Sequence, residues 1–305
     1  MSHFVFWIVF NLFVLAMLAL DFSVLRRNRS VNFLHALALS VFWVLLAGVF
    51  AVLLRHWQGP RSSLEFVTGY LIELSLSVDN LFVFILIFRY FNVDPEHQPR
   101  ILFWGILGAI AMRTAFILAG VGLIRTFHWV TYPFGLLLLY SGVKLFGHHS
   151  EIHPDKNFLL RAVRRAVPVA EDYQGGNFFV RREKFYATPL LVVLLVVETT
   201  DLLFAVDSIP AVLAITLNVF IVYTSNIFAI LGLRSLYFVL SGAMERFGKL
   251  QYGLAAILIF VGAKMMLSRY YEIPNWIALL AVAGILLITA LASLVLPRNQ
   301  PGTRR

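Results

Sequence analysis

SVDNLFVF at Ser77–Phe84 and AVDSIPAV at Ala205–Val212 each set an aspartate and a small polar residue inside an apolar run. A charge at the centre of a membrane-spanning helix costs about 2.5–3.5 kcal/mol on insertion scales, so such residues mark pairing or function. Their surroundings show that the membrane is the right frame. Of the 305 residues, 60% are hydrophobic and only 13% are charged, against about 25% charged in a soluble domain. Outward from the two stretches, the chain reads as nine apolar spans: Phe4–Leu25, Phe33–Leu54, Phe66–Phe88, Ile101–Ile124, Val130–Phe146, Pro189–Thr216, Phe220–Ser241, Tyr252–Leu267 and Trp276–Leu296. Runs near 20 apolar residues suit bilayer-spanning helices. The expected fold is an all-α polytopic membrane protein.

Several chemistries drop out. The chain has no cysteine, which excludes disulfides, thiolate metal sites and haem attachment. It has no GxxxxGK[ST] loop for a nucleotide's phosphates. The first span is read as a retained helix, since "MSHF" before it lacks Lys and Arg and the basic "RRNR" follows it.

The net charge of +9 is a topology signal, with no nucleic acid implied. With the N-terminus outside, inner segments collect Arg26, Arg27, Arg29, Arg89, Arg100, seven cations between Lys156 and Lys184, Arg246, Lys249, Arg298, Arg304 and Arg305. The other side keeps Arg55, Arg61, Arg125 and Arg269. That bias puts the C-terminus in the cytoplasm, with anionic lipids as partners of the basic segments.

The two opening stretches belong to an internal repeat. With Asp79 laid over Asp207, Glu73 falls on Asp201 and Asn80 on Ser208. Further on, GAIAMRTAF with Arg113 matches AILGLRSLY with Arg234, and YSGVKLF with Lys144 matches FVGAKMM with Lys264. Each copy spans three helices, an odd number, so the second must enter the membrane from the opposite side. That predicts two inverted three-helix repeats, the plan by which many transporters hold a site at the bilayer midplane. The organisation is two N-terminal spans in 1–65, a first repeat in 66–147, a basic cytoplasmic linker in 148–188, a second repeat in 189–270, and a last span with a basic tail in 271–305. A short amphipathic helix is expected near Phe158–Val167 in the linker.

The spans hold Glu73, Asp79, Glu198, Asp201 and Asp207, with Asp21 near a helix end. Helical spacing puts Glu198, Asp201 and Ser208 on one face, and Glu73, Ser77 and Asn80 on another. Pro210 removes the backbone donor to the Val206 carbonyl, so a helix break beside Asp207 is expected. Carboxylates, amide oxygens, hydroxyls and free carbonyls are hard ligands that suit Mn²⁺, Ca²⁺ or Mg²⁺. Spacing does not choose among these ions. The candidate metal ligands are Glu73, Asp79, Asn80, Glu198, Asp201, Asp207 and Ser208. Arg113, Lys144, Arg234 and Lys264 are the candidate countercharges. Gly105, Gly108 and Gly232 are read as close-packing positions.

GYLIELSLSVDNLFVF, ETTDLLFAVDSIPAV and TSNIFAILGLRSLYF resemble the TerC family of bacterial integral membrane proteins, nearest its Alx-type members, over about Phe4 to Leu296. The resemblance implies Mn²⁺ efflux across the bacterial inner membrane and carries the family's acidic motifs onto the same seven residues. The expected function is therefore a secondary transporter exporting Mn²⁺ in exchange for protons, with no permanently bound cofactor. The alternative is a membrane scaffold or assembly factor acting through the basic linker. An intramembrane aspartyl protease is set aside because "LSV" and "FAV" precede Asp79 and Asp207 where a GxGD motif is required; no enzymatic activity is expected.

Overall fold

The structure, a computed structural model, describes residues 3–27, 33–147, 177–181, 185–243, 250–267 and 273–295. They form nine α-helices: α1 (His3–Arg27), α2 (Phe33–Gln58), α3 (Pro60–Tyr90), α4 (Gln98–Thr126), α5 (Thr131–Gly147), α6 (Pro189–Leu213), α7 (Val219–Ala243), α8 (Leu250–Leu267) and α9 (Asn275–Val295). Six of them, α2, α3, α4, α6, α7 and α9, are long and apolar enough to cross a bilayer. Shorter apolar runs occupy α1 (Val5–Leu20) and α8 (Ala255–Leu267), and α5 has 17 residues. Every expected span coincides with a helix.

Helix starts follow proline. Gly59 has φ +92 and Pro60 opens α3, so α2 reverses into α3 through a single residue. Glycine tolerates that backbone, and proline fits the first helical turn, where an N–H has no partner. The sequence had α3 starting at Phe66; the Gly59–Pro60 turn moves its start outward and draws Glu65 into the helix.

The expected break beside Asp207 is absent, and the equivalent helix of the first copy is equally continuous. α3 runs through Asp79 without interruption, and α6 runs through Pro210 to Leu213. Pro210 stands in the last turn of α6, where losing one donor is tolerated because the helix is about to end.

Before α6 lies a small antiparallel hairpin, β1 (Phe179–Arg181) with β2 (Phe185–Ala187), paired Phe179↔Ala187, Val180↔Tyr186 and Arg181↔Phe185. The Thr188 hydroxyl donates to the Asn177 carbonyl at 2.6 Å and ties the hairpin base to α6. Most of the 148–188 linker, including the expected helix near Phe158–Val167, lies outside the described residues.

The bundle is organised around α7, which is buried along nearly its whole length. α7 packs on α3, α2 and α4, while α4 also packs on α6 and α5 on α8. Trp7 and Phe10 of α1 meet Phe220 and Tyr223 of α7, and Tyr223 donates its hydroxyl to Asn11 at 2.7 Å. Leu34 and Leu45 on α2 and Leu280 and Ile288 on α9 point outward, as hydrocarbon surroundings require.

The tightest contact joins α5 and α8. A Cβ at Gly142 would stand 2.9 Å from the Ala255 carbonyl, and one at Gly262 2.9 Å from the Gly135 carbonyl. In lipid, where hydrocarbon gives no hydrophobic drive for helix association, such backbone approach is how helices gain packing energy.

Candidate functional site

Three helices meet at one guanidinium. Arg113 of α4 forms an ion pair with Glu73 of α3 and grips Asp201 of α6 with two hydrogen bonds, Nε to Oδ2 at 3.1 Å and Nη2 to Oδ1 at 2.9 Å. Arg113 is 1% exposed, Glu73 0% and Asp201 3%, so the whole cluster is sealed from the surface. A buried charge is tolerable only when paired and hydrogen-bonded, and the two-pronged arginine–carboxylate geometry is the strongest form of that pairing. Glu73 and Asp201 are the residues that the internal repeat aligns, and here they share one cation.

Glu198 lies one turn before Asp201 on α6. Its carboxylate sits over Gly108 of α4, where any side chain would collide with it. Gly108 thus makes room for an acid, beyond the close packing its sequence context suggests. Glu198, Asp201 and Arg234 line a cavity of about 20 Å³ with Gly105, Ala109 and Leu233. A space of that size holds one water or one bare ion.

The same helices α3 and α6, with α7, carry further buried polar groups without hydrogen-bond partners among the described residues: the Ser77 hydroxyl, the Asn80 amide nitrogen, the Ser208 hydroxyl and both amide atoms of Asn226. Such groups are costly to bury unsatisfied, and in quantity they mark a place made for water, an ion or a second conformation. Asn226 was missed by the sequence reading. Its signal was the polar triplet TSN at Thr224–Asn226 in a helix otherwise buried among apolar neighbours.

The remaining predicted residues are distributed differently. Asp207 faces α5, where the Ser141 hydroxyl donates to its Oδ1 at 2.9 Å and the Lys144 ammonium acts on its charge. Six residues along a helix turn a side chain by about 240°, so Asp207 and Asp201 look toward different neighbours. The α3 backbone carries Asp79, but the Asp79 side chain, like that of Asp21, lies outside the described residues. Lys144 is exposed beside the Tyr140 ring, with Nζ 5.9 Å from its centroid. Lys264 is buried, with Glu65 as an electrostatic neighbour.

Glu65 is the other residue that sequence reasoning missed, since it falls just before the apolar span Phe66–Phe88. It is 6% exposed, accepts the Thr216 hydroxyl at 2.7 Å and pairs with Arg61 one turn earlier at 3.0 Å. The Arg61–Glu65 helical spacing was its available signal. Among the described residues, no group of three or more acidic, histidine or cysteine side chains is arranged to hold a metal ion. The physical reason lies in the centre itself: Arg113 occupies the space between Glu73 and Asp201, and Asp207 faces elsewhere.

Comparison with known proteins supplies the family. The model of the integral membrane protein TerC family matches residues 58–301. The chain belongs to the TerC family. An uncharacterized membrane protein of Myxococcus xanthus is 48% identical over 298 residues, covering 97% of this chain and 93% of the relative. Alx of Salmonella typhi, described as a proposed membrane-bound redox modulator, is 45% identical over 295 residues, covering 93% and 92%. An uncharacterized membrane protein of Rickettsia bellii is 40% identical, covering 95% of this chain and 97% of its own. No solved structure matches the chain. The family match takes in every helix of this TerC protein that contributes to the Arg113 centre, from α3 to α7.

Proposed function

We propose that this TerC protein is a secondary transporter that exports a divalent cation, most readily Mn²⁺, across the bacterial inner membrane in exchange for protons. One observation carries the reading: Glu73 and Asp201, equivalent in the two sequence copies, converge on a single positive charge in the bundle interior. A membrane protein that seals two carboxylates around a cation has built a place for positive charge at a depth where charge is most expensive. An ion-sized cavity adjoins Asp201 and Glu198, and the unpartnered hydroxyls of Ser77, one turn from Glu73, and Ser208, two turns from Asp201, are hard oxygens of the kind Mn²⁺, Ca²⁺ and Mg²⁺ accept.

The same proposal includes an inverted repeat. Aligned on Lys144 and Lys264, Gly142 corresponds to Gly262 and Gly135 to Ala255. The contacts Gly142–Ala255 and Gly135–Gly262 then exchange with each other when the copies are swapped. The pairing of α3 with α7 exchanges in the same way with that of α6 with α4. A pseudo-twofold axis in the membrane plane would produce both relations. The N-terminus lies outside and the C-terminus in the cytoplasm, by the distribution of Lys and Arg.

The description given to the Alx relatives suggests redox chemistry. In this chain, which has no cysteine, thiol chemistry has no residue to act through. Transport, and not enzymatic turnover, uses the groups that are present.

The test is flux. Purified protein in liposomes with a luminal pH dye and a metal indicator should move Mn²⁺ with opposite movement of protons. A panel of Mg²⁺, Ca²⁺ and Zn²⁺ ranks the substrates. Proton movement unaffected by any divalent ion, with no metal flux, would reject the transporter.

A further inference from the structure

Resting on the transporter reading, we propose that Arg113 is a tethered competitor of the transported ion: its guanidinium holds Glu73 and Asp201 in the ion-free protein, and it must leave them before a divalent cation can bind.

The geometry is specific. Both oxygens of Asp201 accept from Arg113, and the same guanidinium pairs with Glu73. A cation that used these carboxylates in their present positions would meet the face or edge of a guanidinium, positive charge against positive charge in a sealed, low-dielectric interior. Arginine does not lose its proton in proteins, so this competitor cannot be neutralised and has to move. With Arg113 withdrawn, the two carboxylates present two negative charges, which match one divalent ion.

Withdrawal requires the neighbouring helices to shift, because the adjacent cavity holds only one water or one bare ion. The guanidinium Nη1 has no hydrogen-bond partner beyond the Glu73 ion pair, and the Glu73 Oε2 atom has none among the described residues. A side chain on a helix leans toward the helix N-terminus. For Arg113 that is the direction of Ala109 and Gly108, where the cavity lined by Glu198 and Asp201 lies. Glu198 has no ion-pair or hydrogen-bond partner among the described residues.

The competitor has a use in transport. Two buried carboxylates alone would bind a dication tightly and release it slowly. An arginine that returns to them weakens binding and speeds release, and it spares the empty site from standing as two unpaired buried charges.

This separates Arg113 from a structural countercharge by the direction of change in affinity. The experiment is Mn²⁺ binding to purified full-length protein by titration calorimetry at pH 8, chosen to keep proton competition low, together with Mn²⁺ flux in liposomes. Arg113→Gln should bind Mn²⁺ at least about tenfold more tightly than wild type, and its flux should show a lower KM together with a lower maximal rate. Arg113→Lys, which keeps the charge but cannot grip Asp201 with two prongs, should fold well and also bind more tightly, by a smaller factor. Affinity that is unchanged or weaker in Arg113→Lys, or in a folded Arg113→Gln, overturns the proposal and leaves Arg113 a structural countercharge. If wild-type protein binds no Mn²⁺ at all, the transporter reading fails, and this inference fails with it.

Discussion

Ser141, on α5, donates its hydroxyl to the carboxylate of Asp207, on α6, at 2.9 Å. The bond links the third helix of one sequence copy to the first helix of the other, with Lys144 one turn further along α5. A hydrogen bond to a charged acceptor is worth about 1.5–3 kcal/mol. Ser141→Ala should therefore lower the thermal midpoint of the purified protein by several degrees while part of the Mn²⁺ flux survives. Asp207→Asn keeps the size and removes the charge, so it should abolish flux at normal membrane levels.

The α5–α8 contact predicts paired effects. Gly142→Leu and Gly262→Leu each drive a side chain into the backbone of the facing helix. Overpacking of this kind costs about 1–3 kcal/mol or more, and the two variants should lose similar amounts of stability by thermal unfolding. Gly122→Ala, with open space around it, is the control and should behave as wild type.

The buried cluster predicts a separation of stability from function. Asp201→Asn leaves Arg113 half-paired, and breaking one partner of a buried pair costs about 3–5 kcal/mol. Its membrane level should fall. Replacing all three members by apolar residues (Glu73→Leu, Arg113→Met, Asp201→Leu) removes every buried charge of the cluster and should restore the level, yet show no flux. Flux in the triple variant would mean that the ion crosses elsewhere.

Topology can be read by chemistry because the chain contains no cysteine. A single Gln58→Cys, at the α2–α3 turn, should react with an impermeant maleimide added to intact cells. Asn92→Cys, at the opposite end of α3, should react only after the membrane is opened. The reverse pattern would invert the proposed orientation.

How far the sequence could be read follows from the range of the forces involved. Spans were legible because apolar composition acts locally along each helix. The α3 start was misjudged because the apolar run begins at Phe66, while Gly59 and Pro60 made a one-residue turn possible. A helix break was expected at Pro210, but its nearness to the α6 end decides the outcome, and that end is set by packing. The equivalence of Glu73 and Asp201 was visible through the repeat. Their sharing of Arg113 joins residues 88 positions apart on α4 and α6 and could not be read from spacing. Asn226 stayed hidden because a short polar triplet, TSN, within an apolar helix reads as ordinary helix packing until the amide's lack of partners is known.

The central claim is that a divalent cation crosses this protein by way of its intramembrane carboxylates. It is tested most directly by Mn²⁺ flux into a metal indicator in liposomes, comparing wild type with Asp79→Asn and Asp207→Asn at equal incorporation. The account predicts flux for wild type well above protein-free liposomes and none for either variant. Wild-type rates in both variants, or no flux from wild type, would contradict it.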